Sequence, residues 1–81
     1  MNEVRAKIRG FVVENFLFGD EGGVKDDTSF LDEGIIDSTG ILEMVSYLEA
    51  EFSISVDDEE LIPENLDSIN NVVAYLTKKI R

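Results

Sequence analysis

The apolar residues near the start of the chain follow the spacing of an amphipathic helix. Side chains three and four positions apart on a helix lie on one face. The apolar residues that keep this spacing are Val4, Ile8, Phe11, Val12 and Phe16. Asn2 is placed to cap the helix, and Glu3 lies in its first turn, where a negative charge suits the helix dipole. The pattern predicts a helix over residues 2–16.

The clearest helical pattern runs over residues 38–52. Its apolar stripe consists of Ile41, Leu42, Val45, Leu48 and Phe52. The acidic residues Glu43, Glu49 and Glu51 lie largely away from that stripe. Asp37 stands just before the pattern, where a short carboxylate can accept a hydrogen bond from the free amides of the first turn. The sequence therefore predicts a second helix with Asp37 as its N-cap.

Residues 17–37 show no sustained period and contain Gly19, Gly22, Gly23 and Gly34. This composition predicts a long loop. Loops of this length in small domains are uncommon and are often functional. We expect Phe30, Leu31, Ile35 and Ile36 to hold the loop on the core, with a short helical turn at residues 28–32.

The last part of the chain predicts one short helix and one long helix. Residues 57–62 form an acidic segment that should be helical and stop near Pro63, because proline cannot continue a helix. A final helix should begin at Asp67 or Ser68 and end among Lys78, Lys79 and Arg81. Its apolar residues are Ile69, Val72, Val73, Leu76 and Ile80. The fold class is all-α, a small helical bundle with one long loop.

Composition excludes most catalytic chemistry. The 81 residues make one small domain and include no Cys and no His. The chain thus lacks a thiolate nucleophile, an imidazole base and the commonest metal ligands. We expect a cytoplasmic location, because no signal-peptide pattern is present and no apolar run reaches the ~20 residues that span a bilayer.

The charge balance indicates which partners the protein can attract. Eighteen acidic and seven basic residues give a formal net charge of -11. Such a field repels nucleic acids and anionic membrane surfaces, and it steers basic protein surfaces toward the chain. It also favours a monomer, since no long unpaired apolar stripe remains.

Ser38 lies where the long loop meets the second helix, in the string Gly34, Ile35, Ile36, Asp37, Ser38, Thr39, Gly40. A first-turn residue beyond the apolar stripe can point its hydroxyl at solvent, beside backbone amides that can receive an anion. An Asp-Ser pair opening an acidic amphipathic helix, after a long loop and before a short acidic helix and a final helix, resembles the acyl carrier protein family over nearly the whole chain.

The resemblance implies one acyl-carrier domain over residues 1–81, folded as an antiparallel bundle of three main helices and one short helix. It also implies that Ser38 bears phosphopantetheine as a phosphodiester, so that the thiol which carries cargo belongs to the cofactor. Such a protein is no enzyme. Its implied partners are a phosphopantetheinyl transferase, an adenylate-forming acyl or aminoacyl ligase, and acyltransferases or synthases with basic patches.

The residues after Ser38 differ from a common family pattern. Many fatty-acid carriers continue with Leu and an acidic residue, whereas this chain continues with Thr39 and Gly40. Its string looks more like that of free-standing aminoacyl or D-alanyl carriers, although carriers for unusual acyl groups can share it. Fatty acid, polyketide and nonribosomal peptide pathways, and D-alanylation, all stay open. A glycine in a first turn weakens the helix, and close approach of a partner's backbone would explain it.

Candidate partner-binding residues surround Ser38 on the predicted helices. The acidic candidates are Glu43, Glu49, Asp57 and Glu60. The apolar alternative is a contact around Ile36, Thr39 and Met44, although Met44 also fits the core.

The sequence also raises two other classes of protein. A calcium-binding EF-hand loop is excluded. Such a loop has a glycine at its sixth position, and placing Gly22 there would put Leu17, which cannot bind a metal through its side chain, at the first ligand position. An acidic helical adaptor without a prosthetic group remains the alternative.

Overall fold

The computed structural model describes the backbone of residues 2–80 and the side chains of all of these except Asn2 and Glu21. The expected cap by Asn2 and the charge of Arg81 at the last helix end lie outside the described residues. The described chain is all-helical, which confirms the predicted fold class. Its helices are α1 (Asn2–Phe16), α2 (Ser38–Phe52), α3 (Pro63–Leu66) and α4 (Ile69–Ile80).

The short helix is displaced from its predicted place. Residues 57–62 contain only a 3-10 turn at Asp58–Glu60, and α3 begins at Pro63 instead of ending before it. The reason is that proline's fixed φ and missing N–H suit the first position of a helix, where the amide has no intrahelical partner. The prediction used proline only as a helix breaker and was wrong here.

α1 and α2 run antiparallel, as three pairs of contacts along their length show. Near one end the Lys7 ammonium lies 2.9 Å from a Glu51 carboxylate oxygen. In the middle the rings of Phe11 and Tyr47 stack with centroids 4.3 Å apart. At the other end Phe16 packs beside Gly40. The position on α1 rises as the position on α2 falls, so the start of α2 sits against the end of α1.

The core is aliphatic with one fully buried aromatic ring, that of Phe30. All four helices and the long loop contribute residues to this core. Its buried apolar residues are Ile8, Val12, Val13, Val24, Phe30, Ile36, Met44, Val45, Leu48, Leu66, Ile69, Val72, Val73, Tyr75 and Leu76. Leu42, predicted to lie in the apolar stripe of α2, is 57% exposed. The stripe is complete without it, because Met44 fills the core position one turn on from Ile41.

The long loop is held to the helices at several points. The Arg9 guanidinium donates to the Val24 carbonyl at 2.9 Å and pairs with the Asp26 carboxylate, which Arg5 also contacts at 3.1 Å. The backbone amide of Asn70, at the start of α4, donates to the Asp26 carbonyl at 2.9 Å. The loop is therefore ordered by ion pairs with α1 as well as by apolar burial.

Two details of the loop differ from expectation. Residues 30–34 form a turn where a helical turn at residues 28–32 was expected. Phe30 and Ile36 are buried and Ile35 is half-buried, as predicted, but Leu31 is 44% exposed. Val24, which the sequence did not single out, is the buried residue that holds the first half of the loop.

Candidate functional site

Asp37 caps the N-terminus of α2, as the sequence predicts. Its backbone is extended, with φ −96° and ψ −173°, and its Oδ1 accepts a hydrogen bond from the Gly40 amide at 2.8 Å. The Asp37 carbonyl accepts the first intrahelical bond, from the Ile41 amide at 2.9 Å. The cap fixes where α2 starts and therefore fixes the position of Ser38, its first residue.

Ser38 is exposed at this helix start. The cap uses the Gly40 amide, whereas the amides of the first two positions of a helix have no partner within it. A phosphodiester on the Ser38 hydroxyl would stay in solvent and lie at the positive end of the α2 dipole. The residues present therefore fit a phosphate-linked group on this serine.

Gly40 is a glycine because the chain packs tightly around it. A Cβ atom at this position would lie 2.8 Å from Ile36 Cγ2 and 2.9 Å from Phe16 Cε1. Both distances are shorter than real Cβ contacts. The close approach that the sequence attributed to a partner's backbone comes instead from side chains of the same chain, so that expectation is corrected.

A groove of about 380 Å³ opens beside Ser38. One side is formed by α2 and Leu31 of the long loop, and the other by the segment that leads into and through α3. The lining residues are Leu31, Ser38, Ile41, Leu42, Leu61, Ile62, Pro63, Leu66 and Asp67. Ser38 and Asp67 are the only polar residues among them, so the groove is an apolar cleft with the candidate attachment serine at its edge.

Two of the three predicted apolar partner contacts are in the core. Ile36 is 1% exposed and Met44 is fully buried, so neither can form a surface for a partner in this conformation. Ile36 packs under the first turn of α2, against the space that Gly40 leaves. Thr39 is exposed beside Ser38. The exposed apolar residues at the groove are instead Leu31, Leu42 and Ile62.

The four acidic candidates fall into two pairs. Glu43 on α2 and Asp57 before the 3-10 turn are exposed. Glu49 and Glu60 are half-buried and bonded within the chain. Glu49 Oε2 accepts from the Val56 amide at 2.9 Å, which holds the segment after α2 against that helix. The structure therefore leaves Glu43 and Asp57 as surface charges and gives Glu49 and Glu60 internal bonds.

Glu60 Oε1 is the acceptor for three donors from two parts of the chain. The Asp57 amide donates to it at 3.0 Å, the Tyr75 hydroxyl at 3.0 Å and the Lys79 ammonium at 2.9 Å. These donors hold the pKa of Glu60 below its ordinary value, with the Asp57 amide the largest cause and Lys79 next. Burial and the bond to Glu60 raise the pKa of Tyr75, so its hydroxyl stays protonated and donating.

The charges are unevenly distributed along the chain. No Lys or Arg occurs in residues 26–77, which include both sides of the groove. Three of the seven basic residues, Arg5, Lys7 and Arg9, lie on α1 and pair with acidic residues. The surface around Ser38 is consequently negative without a compensating cation nearby in sequence.

An exposed serine at the start of a capped, acidic helix, beside an apolar groove and in a chain without Cys or His, fits a carrier of a covalently attached group. The family model "Phosphopantetheine attachment site" matches residues 12–76. Because this match covers most of the chain, the protein belongs to the phosphopantetheine-binding acyl carrier family. It is a carrier with a covalently bound phosphopantetheine and is not an enzyme.

Curated relatives agree with this assignment. The acyl carrier protein of Bdellovibrio bacteriovorus is 36% identical over 76 residues, which cover 94% of each chain. That of Thermotoga maritima is 30% identical over 78 residues, covering 96% of this chain and 93% of the relative. That of Petrotoga mobilis is 32% identical over 79 residues, covering 98% and 89%.

The bound group and the chain divide the work of a carrier. Phosphopantetheine supplies a thiol that can hold an acyl group as a thioester. The chain's own residues fix the start of α2, expose Ser38 and line the adjoining groove. Within the described residues, every helix is too short or too polar to cross a membrane.

Proposed function

We propose that Ser38 bears the phosphopantetheine and that the chain delivers acyl or aminoacyl thioesters to successive partner enzymes. The observation that carries this proposal is the position of Ser38, exposed at the first turn of α2 and at the edge of the apolar groove. Asp37 supports it by fixing the start of α2. The modifying enzyme is a phosphopantetheinyl transferase, and the loading enzyme is an adenylate-forming acyl or aminoacyl ligase.

Intact-mass analysis after incubation with coenzyme A and a transferase tests the attachment. The wild type should gain one phosphopantetheine and Ser38→Ala none. Ser46→Ala, an exposed serine within α2, is the matched control and should be modified like the wild type. Modification of Ser38→Ala would refute the site. If neither the wild type nor Ser46→Ala is modified, although circular dichroism shows that both are folded, the result would favour the adaptor without a prosthetic group.

The proposed cargo is an acyl or aminoacyl group, and its pathway is left open. The apolar lining of the groove favours an aliphatic group, and Thr39 and Gly40 support the resemblance to aminoacyl and specialised acyl carriers. Competition between candidate acids in a loading assay with the cognate ligase, read as mass gain on the modified protein, tests the cargo. Loading of none of the acyl or amino acids offered would contradict the proposal.

The proposed partners dock on the acidic surface around the groove through basic patches. Glu43 and Asp57 are the exposed charges that support this docking, with Leu31, Leu42 and Ile62 as its apolar contacts. Charged rim contacts raise association rates without slowing release, which suits a carrier that visits several enzymes in the cytoplasm as a monomer.

Reversal of one charge tests this surface. Glu43→Lys should lower the association rate with the transferase and reduce its dependence on salt. Glu3→Lys is the matched control, since Glu3 is an exposed acid near the opposite end of α2 from Ser38. Equal effects of the two variants would show that only net charge matters. Glu49→Lys is avoided because it would also break the bond to Val56.

A further inference from the structure

One side of the groove is a short, largely irregular segment that is bonded to α4 and to the long loop. We call residues 61–66 the groove wall; four of them, Leu61, Ile62, Pro63 and Leu66, line the groove. Only residues 63–66 of it are helical. No hydrogen bond among the described residues joins this wall to α2 across the groove. Leu66 is buried in the core, and the Asn71 side chain donates to the Pro63 carbonyl at 3.2 Å, so α3 is anchored to α4. The part of the wall before α3, Leu61 and Ile62, depends on the residues that precede it.

Carboxylates hold both ends of the wall. At the far end Asp67 accepts from the Leu31 amide at 3.0 Å and from the Ser29 hydroxyl, and its own carbonyl accepts from the Phe30 amide at 2.7 Å. Asp67 thus ties the wall to the long loop. At the near end Glu60 precedes Leu61 directly and ties the wall to α4 through Tyr75 and Lys79.

The bonds at Glu60 are well placed to act as a unit. Tyr75 is 5% exposed, while the side chains of Glu60 and Lys79 are 26% and 25% exposed. The Lys79 ammonium also lies 6.0 Å from the centroid of the Tyr75 ring, within the range of a cation–π contact. The Glu60 carbonyl accepts from the Asn65 side chain at 3.0 Å, so the same residue also joins the 3-10 turn to α3.

We propose that Glu60 is a positioning residue that holds the groove wall against α4 and thereby sets how well the groove shelters a group attached at Ser38. This proposal rests on the proposed function for its cargo, whereas the hold on the wall is a property of the chain itself. Releasing the Glu60 carboxylate should let Leu61 and Ile62 move away from α2 and loosen the turns of α3, while Leu66 stays in the core. Lys79 is the partner whose charge keeps the carboxylate in place.

The experiment combines two readouts on the full chain. Hydrogen exchange measures the amides of Leu61, Asn65 and Asp67, which are bonded within the wall region. A dansyl-labelled pantetheine arm, attached at Ser38 by the transferase, reports by its emission whether the end of the arm is in an apolar setting. Glu60→Ala should exchange several-fold faster at those amides and shift the emission to the red. Glu60→Gln, which keeps acceptors but loses the charge, should be intermediate.

Two controls separate a role in positioning from general loss of stability. Glu59→Ala removes an equal charge from an exposed residue of the same 3-10 turn and should leave both readouts unchanged. Lys79→Met should behave like Glu60→Gln, whereas Lys79→Arg keeps the cation and should behave like the wild type. Ile8→Val lowers stability from the core and should leave the emission unchanged.

Identical emission in the wild type and Glu60→Ala would overturn the proposal, as would equal exchange in the two. A chain that the transferase does not modify at Ser38 would contradict the proposed function instead. In that case hydrogen exchange alone still decides whether Glu60 holds the wall, so the two failures are distinguishable.

Discussion

α2 meets its two neighbours in different ways. Toward α1 it packs directly, with stacked rings at Phe11 and Tyr47 and no room for a methyl group at Gly40. Toward α3 it faces a groove, and the opposite wall is held in place from behind by Glu60 and Asp67. Close packing resists any change of volume, whereas the part of the wall before α3, which is held through the polar bonds of Glu60, can shift without disrupting the core. Ser38 lies where the rigid side and the adjustable side meet.

The largest expected effect comes from removing volume on the packed side of the chain. Met44→Ala should lower the free energy of unfolding by about 2 to 5 kcal/mol, because it leaves a cavity in the core. Leu42→Ala, two residues away and exposed at the groove, should change it by less than about 0.5 kcal/mol. Urea denaturation measures both. Similar losses for the two variants would contradict the contrast between the two sides.

Adding volume at Gly40 should also destabilise the protein. Gly40→Ala gains up to about 1 kcal/mol of helix propensity. It loses about 1 to 3 kcal/mol by overpacking against Ile36 and Phe16, so the net change should be a loss. Gly10→Ala is the matched control in α1, where a Cβ meets nothing within 4 Å, and it should stabilise the chain. Thermal melts that show gains for both would mean that α1 and α2 are less tightly packed than described.

The cap at the junction should have a smaller effect on stability and a second effect on modification. Asp37→Ala should cost about 1 kcal/mol because the Gly40 amide loses its acceptor. It should also slow transfer of phosphopantetheine to folded protein, since the start of α2 is no longer fixed. Asp32→Ala removes the same charge from an exposed loop residue and should do neither. Unchanged melting and modification of Asp37→Ala would refute both roles.

The smallest expected effect is a pH dependence on the adjustable side. The pKa of Glu60 is lowered in the folded state by the Asp57 amide, Lys79 and Tyr75, so its contribution to stability is fully present above the pKa of an unfolded glutamate. The contribution is lost as pH falls through the lower folded-state pKa. The difference in melting temperature between the wild type and Glu60→Gln should therefore be greatest near neutral pH and vanish in acid. A difference in melting temperature that grows as the pH falls would contradict the lowered pKa of Glu60.

Local features of the fold were predictable from the sequence. The bounds of α2 and its cap depend on a stripe of spacing three and four and on one residue before it, so Ser38–Phe52 and Asp37 were both predicted correctly. The fate of Pro63 was not, because proline suits a helix start as well as a helix end. The position of Ser38 at the start of α2 followed from the same local signal.

Features that join distant segments were not predictable. The groove is assembled from Leu31, Leu42 and Ile62, which come from three separate segments, and no periodicity relates them. Glu60 looked like a surface charge because its partners Tyr75 and Lys79 lie 15 and 19 residues further along the chain. Of these residues, only Leu42 could have been recognised from the sequence as exposed, because the apolar stripe of α2 is already complete when Met44 is included.

The absence of Lys and Arg from residues 26–77 determines which proteases can report on the conformation of this protein. Trypsin has sites only at or before Lys25 and at or after Lys78, whether or not the groove is open. After digestion with trypsin, Ser38 is therefore always found in one long, highly acidic peptide. A protease specific for glutamate has sites at Glu59, Glu60 and Glu64, on and beside the groove wall. Its cutting rate would follow movement of the wall, while resistance to trypsin in the same region reflects composition and carries no information about folding.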